Sequence, residues 1–313
     1  MLEIKYPDLY CPFPSARNQY ADAAGQHTIE WVRFFNFFPD ESAYQILCAA
    51  NFQELAALTH PHASLEALEI FNDFLVWGFI ADDQFEEAGT SKQLERLELE
   101  HARLVDILKG ASLTDSDTPA ALTLQDIWQR LHQFLNATPE LMLRFARDME
   151  EGLQAVRWEA LNHTQGITPN LVTYMKMRAL QIGVYAYFDF IQIVDRIALP
   201  PEVIELPIVK RLELAANNVF AWANDIFSVE KEIREGQTHN LVLILQHEYQ
   251  IPFLEAIERA AEIHDAEVRT FIELSAQLPS FGAEVDAELQ RYISGLRSWM
   301  RGCLDWYLET GRY

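Results

Sequence analysis

The chain has 313 residues, half of them hydrophobic, with no linker, repeat or low-complexity run, so it is read as a single domain over residues 1–313 with one large core. Its 24 Lys and Arg against 47 Asp and Glu give a net charge of −23, which speaks against nucleic acid and against an anionic membrane surface as partners. Cys11, Cys48 and Cys303 form no CxxC pair, no basic apolar leader opens the sequence, and the longest apolar run, Phe74 to Ala81, is too short for a bilayer. These features predict a cytoplasmic protein with reduced thiols.

Helical periodicity dominates in chain order. Stretches at 18–36, 40–58, 62–87 and 92–109 carry apolar residues at helical spacing, and Gly110 stands where the last would stop. Thr118-Pro119, Thr138-Pro139 and Thr168-Pro169 each pair an N-cap residue type with proline at the first helical position. The stretches they open run to about Asn136, His163 and Ala198. Helices follow at 207–235, with Gly236 as a stop, then a short one near 240–248, and others at 252–277 and 282–309. Asn240 to Leu245 has strand composition, but a lone strand has no partner. The predicted class is all-α, a barrel or bundle of helices.

Two acidic motifs carry the chemistry. The first is Asp82-Asp83-Gln84-Phe85-Glu86-Glu87, in which Asp82 and Glu86, and Asp83 and Glu87, share helix faces four residues apart. The second places Asn224, Ser228 and Glu232 at i, i+4 and i+8 on one face, while Asp225 points about 100° away and supports rather than ligates. Carboxylate, amide and hydroxyl oxygens are hard donors of the kind Mg²⁺ accepts. Both motifs stand near C-terminal helix ends, where negative charge opposes the helix dipole unless a cation binds. A solvated acidic helix end is the plain alternative for the first motif, but Phe74 to Phe79 just before it mark a buried helix emerging at a cavity rim.

In sequence the chain resembles the bacterial class I terpene cyclases. That family pairs an aspartate-rich motif with an N-D-x-x-S-x-x-K-E triad, matched by Asn224, Ser228, Lys231 and Glu232. Arg178 stands 46 residues before Asn224, where the family has a diphosphate-sensing arginine, and Arg312-Tyr313 match its terminal Arg-Tyr pair. Tyr10-Cys11-Pro12-Phe13-Pro14 and Trp77-Gly78-Phe79-Ile80-Ala81 extend the similarity over essentially the whole chain.

The resemblance implies the terpenoid-synthase α-barrel and an active site with three Mg²⁺. Metal ligands would come from Asp82, Asp83, Glu86 and Glu87, with Asp83 first, Glu87 second and Glu86 left open, and from Asn224, Ser228 and Glu232. Diphosphate would be bound by Arg178, Lys231, Arg312 and Tyr313. Gly183, inside an apolar helix, marks a break of the kind that follows the sensing arginine in the family, and by position Ile182 would supply the effector carbonyl and Gln181 the linker. The family often has Asp at the linker place and Gly at the carbonyl place. Trp306, six residues before Arg312, and Phe79 match cavity aromatics that would stabilise a carbocation, with Phe188 and Phe220 as further candidates.

The activity implied is Mg²⁺-dependent ionisation of a linear isoprenyl diphosphate, farnesyl diphosphate by family habit, and its cyclisation to a terpene hydrocarbon or alcohol. Alternatives are a diterpene cyclase using the C20 diphosphate, a chain-elongating prenyltransferase, which lacks its second DDxxD here, and a non-catalytic helical scaffold. The sequence leaves open the product skeleton and whether the protein forms a homodimer.

Overall fold

The structure is a computed structural model that describes residues 6–38, 41–86, 91–133, 137–310 and 312, with the backbone alone described at 42–43, 81–86 and 91–93. Fourteen helices and no strand occur among the described residues. They are α1 (Ala21–Phe34), α2 (Glu41–Ala50), α3 (Phe52–Thr59), α4 (Leu65–Glu86), α5 (Ser91–Leu108), α6 (Pro119–Gln133) and α7 (Pro139–Gln165), followed by α8 (Leu171–Gln181), α9 (Val184–Val194), α10 (Pro201–Ile204), α11 (Pro207–Glu235), α12 (Leu241–Tyr249), α13 (Phe253–Ser275) and α14 (Ala283–Glu309). No helix among the described residues is long and apolar enough to cross a membrane.

Local chemistry accounts for most boundaries. Thr138 caps α7 by accepting from the Leu141 amide at 3.3 Å, and Gly236 ends α11 at φ 75°. The stretch at 40–58 is two helices, because Asn51 takes the left-handed conformation at φ 56°, which asparagine tolerates better than most residues. The stretch from Thr168 to Ala198 is parted at Gly183, at φ 70°, into α8 and α9. The cap of α8 is Asn170, whose side chain accepts from the Thr173 amide at 2.9 Å, and not Thr168. The strand-like Asn240 to Leu245 opens α12, with Asn240 as its N-cap. The single-turn α10 has no counterpart among the predicted elements.

Buried side chains form two clusters. The larger one gathers Phe71, Phe74, Phe145, Phe190 and Trp299, and the smaller one Tyr174, Trp222, Ile226, Val242, Leu245 and Ile257. Helix α11 lies between them. It gives Val219, Phe220 and Phe227 to the first and Trp222, Ile226 and Val229 to the second, so it is buried almost all round. Its polar residues Asn217, Asn224, Asp225 and Ser228 are therefore buried too and require partners.

Candidate active site

Asp225 anchors one side of α11. It accepts from the Tyr174 hydroxyl at 2.5 Å, from Arg178 Nε at 2.9 Å and from the Leu241 amide at 2.8 Å. These bonds tie α8, α11 and the start of α12 together and aim Arg178 at the neighbouring face. There its Nη2 donates to Asn224 Oδ1 at 2.6 Å, and its Nη1 donates to the Gln181 side chain. Ser228 Oγ donates to Glu232 Oε1 at 2.5 Å, and Asn240 Nδ2 donates to Glu232 Oε2 at 2.9 Å. Burial, with the charge of Asp225 adding to it, pushes the Glu232 carboxyl up to about 7. A bound cation would favour its ionised form. The face thus offers an amide oxygen, a hydroxyl and a carboxylate, an all-oxygen set suited to a hard divalent cation.

The helix break combines two backbone bonds with one side-chain brace. The Ile182 amide bonds to the Arg178 carbonyl at 3.0 Å, and the Gly183 amide turns to Leu180 at 3.1 Å. The Ala179 carbonyl is met by Asn217 Nδ2 of α11 at 2.8 Å.

These elements surround a cavity that opens to solvent, with about 1150 Å³ of space when its open mouth is counted. Of the residues singled out in the sequence, Phe79, Arg178, Ile182, Gly183, Phe220, Asn224, Ser228, Lys231, Glu232 and Arg312 line it. Phe74, Trp77, Met149, Leu153 and Tyr187 supply much of the remaining wall. The Arg312 guanidinium lies 4.8 Å from the centroid of the Phe79 ring.

Trp306, expected to line the cavity, does not. It is 1% exposed, donates its indole N–H to the Ala50 carbonyl at 2.9 Å, and packs on Phe52, which in turn packs on Phe79. Phe188 is likewise buried, edge-on to Trp299 and away from the lining. Asp82, Asp83 and Glu86 fall on the last turn of α4, which reaches the cavity at Gly78 and Phe79, and their side chains lie outside the described residues. Glu87 and Tyr313 lie outside them altogether.

Four residues were missed from sequence. Tyr307 accepts from Asn224 Nδ2 at 2.9 Å and stacks on Phe227 at 5.2 Å, while Tyr174, Asn217 and Asn240 hold the polar network described above. Asn240 alone had a local signal, as an N-cap type before an apolar run. The other contacts are made across the fold.

An all-helical fold with oxygen donors and cations at one part of an aromatic cavity defines a class of enzymes acting on an anionic head group with an apolar tail. Comparison with known proteins names the class more closely. Residues 73–270 match the family described as terpene synthase family 2, C-terminal metal binding. The chain is similar to germacrene A synthase of Nostoc punctiforme, with 39% identity over 100% of this chain and 96% of that one. It is also 37% identical to a (+)-T-muurolol synthase of Roseiflexus castenholzii, over 97% of this chain and 93% of the other. Among solved structures, SVS_A2 from ancestral sequence reconstruction superposes with a TM-score of 0.88 at 28% identity, covering 97% of this chain and 90% of that one. An a-eudesmol synthase, at 21% identity, covers 97% of this chain and 100% of its own with a TM-score of 0.87, and so shares the fold. The chain belongs to the terpene synthase family and has that family's metal-binding region, so the resemblance, the all-α class I fold and the enzyme class read from sequence are borne out.

Proposed function

We propose that this terpene synthase ionises farnesyl diphosphate with the help of Mg²⁺, three ions per site, and cyclises the allylic cation to a sesquiterpene. The observation that carries the reading is one cavity lined both by Asn224, Ser228, Lys231, Glu232, Arg178 and Arg312 and by Phe74, Trp77, Phe79 and Phe220. The C15 chain length is supported by the (+)-T-muurolol relative, whose name specifies (2E,6E)-farnesyl diphosphate. Asn224, Ser228 and Glu232 would hold metal on one side, with Asp83 and either Glu86, from the end of α4, or Glu87, the next residue in sequence, on the other. When bound, Mg²⁺ neutralises charge on the diphosphate oxygens and so lowers the barrier to C–O cleavage.

The chain's own groups do the rest. Arg178, Lys231, Arg312 and Tyr313 bind diphosphate oxygens as charged or hydroxyl donors. Arg178 is already engaged by Asn224, Asp225 and Gln181. Drawing its guanidinium toward diphosphate pulls on the turn whose next residues are Ile182 and Gly183, and a carbonyl there meets the developing cation. The Phe79 ring face, which now attracts the Arg312 guanidinium, offers the same attraction to a carbocation. The apolar walls exclude water and direct the fold of the chain.

Incubation with C10, C15 and C20 isoprenyl diphosphates, with and without Mg²⁺, tests the proposal by diphosphate release and gas chromatography–mass spectrometry. The expected result is Mg²⁺-dependent release with cyclic C15 products. Preference for the C20 substrate would correct the chain length, and release from none of the three would overturn the reading.

A further inference from the structure

Glycine in the middle of a helix weakens it relative to alanine, yet Gly78 stands in the 22-residue α4, one turn before Asp82. The space around it is taken by a side chain from another helix. A Cβ at position 78 would lie 2.1 Å from the Tyr187 hydroxyl oxygen and 3.4 Å from the ring carbon that bears it. The first distance is impossible and the second is ordinary contact. The notch left by Gly78 is therefore the size of one hydroxyl oxygen.

Tyr187 is held there firmly. It lies on α9, just after the break at Gly183, and its ring packs on Phe74 at 4.8 Å, Trp299 at 5.5 Å and Phe71 at 6.2 Å. A ring fixed on three sides has little freedom to swing its hydroxyl elsewhere. Gly78 and Tyr187 both line the cavity, beside Phe74, Trp77 and Phe79. Among those ring faces the hydroxyl alone carries oxygen lone pairs.

We propose that Gly78 and Tyr187 form one specificity-determining element. The glycine seats the Tyr187 hydroxyl in the cavity wall, and the oxygen's lone pairs set where positive charge rests in the cyclising chain and so which product forms. No bond to the tyrosine is made or broken; the effect is a fixed dipole aimed at a migrating cation. The inference rests on the cyclase reading above and adds to it the group that partitions products.

The test uses Tyr187→Phe, Gly78→Ala and the double variant with farnesyl diphosphate and Mg²⁺, reading diphosphate release and product ratios separately. Each single variant should keep diphosphate release while shifting the ratio of main to minor products by about tenfold, the low end of what one pocket contact decides. The double variant should match Tyr187→Phe, because without the oxygen a methyl at position 78 meets only ordinary contact. An alanine effect undiminished in the phenylalanine background would show that Gly78 serves some purpose other than seating the hydroxyl, and would overturn the coupling. Unchanged products from Tyr187→Phe with normal release would overturn the inference alone, and this variant decides the matter if Gly78→Ala does not fold. A wild type that releases no diphosphate would overturn the cyclase reading and the inference with it.

Discussion

At the scale of single residues, Asn224 shows how a proposed metal ligand is aimed. Its amide oxygen accepts from Arg178 at 2.6 Å and its nitrogen donates to the Tyr307 hydroxyl at 2.9 Å, so the two ends of the amide cannot exchange. Tyr307→Phe removes the acceptor that fixes this orientation while keeping the ring stacked on Phe227. Partners of metal ligands are worth about 10–100-fold in metal affinity, and a rise of that size in the Mg²⁺ requirement is expected, with product ratios unchanged. Metal affinity can be read without substrate, from Mn²⁺ titration by electron paramagnetic resonance, and equal affinity in the two proteins would dismiss the role. Trp306 makes the opposite case. A nearly fully buried ring packed behind Phe79 contributes mainly to stability, and its removal should cost about 3–5 kcal/mol in urea unfolding. A loss under about 1 kcal/mol would contradict that placement.

At the scale of elements, the break between α8 and α9 is the proposed link from Arg178 to the cavity, and Asn217, 38 residues away, satisfies the Ala179 carbonyl beside it. Asn217→Leu has nearly the right shape but leaves that carbonyl buried and unpaired, a cost of about 1–3 kcal/mol. Because Ile182 and Gly183 follow directly, turnover should fall as well. Unchanged urea midpoint and turnover together would show that the break needs no such brace.

This element also shows what the sequence could and could not disclose. The triad on α11 was legible because Asn, Ser and Glu at four-residue spacing are a chemical statement made within two turns of one helix. Gly183 was legible because glycine in an apolar helix has a known cost. Asn217, Tyr174 and Tyr307 were not, since an asparagine or tyrosine in an amphipathic helix looks the same whether it faces solvent or a distant carbonyl or carboxylate. Asn51 was missed for a related reason: its left-handed turn leaves the apolar spacing on both sides intact, so α2 and α3 looked like one helix. Trp306 was misplaced because spacing fixes which residue follows a motif but not which layer of rings it joins.

At the scale of the whole molecule, stability depends on buried ionisable groups, and His60 is the simplest of them. It is 2% exposed and packs against Phe71 at 4.1 Å, and its Nε2 has no hydrogen-bond partner among the described residues. Burial lowers its pKa from 6.5 to about 3. Below pH 6.5 the unfolded chain therefore takes up a proton at this site that the folded chain refuses. The unfolded state binds more protons in that window, so folding stability falls as pH drops from 6.5 toward 3, at a limiting slope of about 1.4 kcal/mol per pH unit. Buried carboxyls pushed upward, such as Glu232, act in the opposite sense, so the wild-type profile alone does not isolate the histidine. Comparison with His60→Leu does, because the other groups cancel. Relative to wild type, the leucine variant should gain about 2 kcal/mol between pH 7 and pH 5, measured as the change in the difference between urea unfolding free energies. A difference that stays constant over that range would mean that the imidazole is protonated as readily in the folded protein as in the unfolded chain, and that some group facing it has been overlooked.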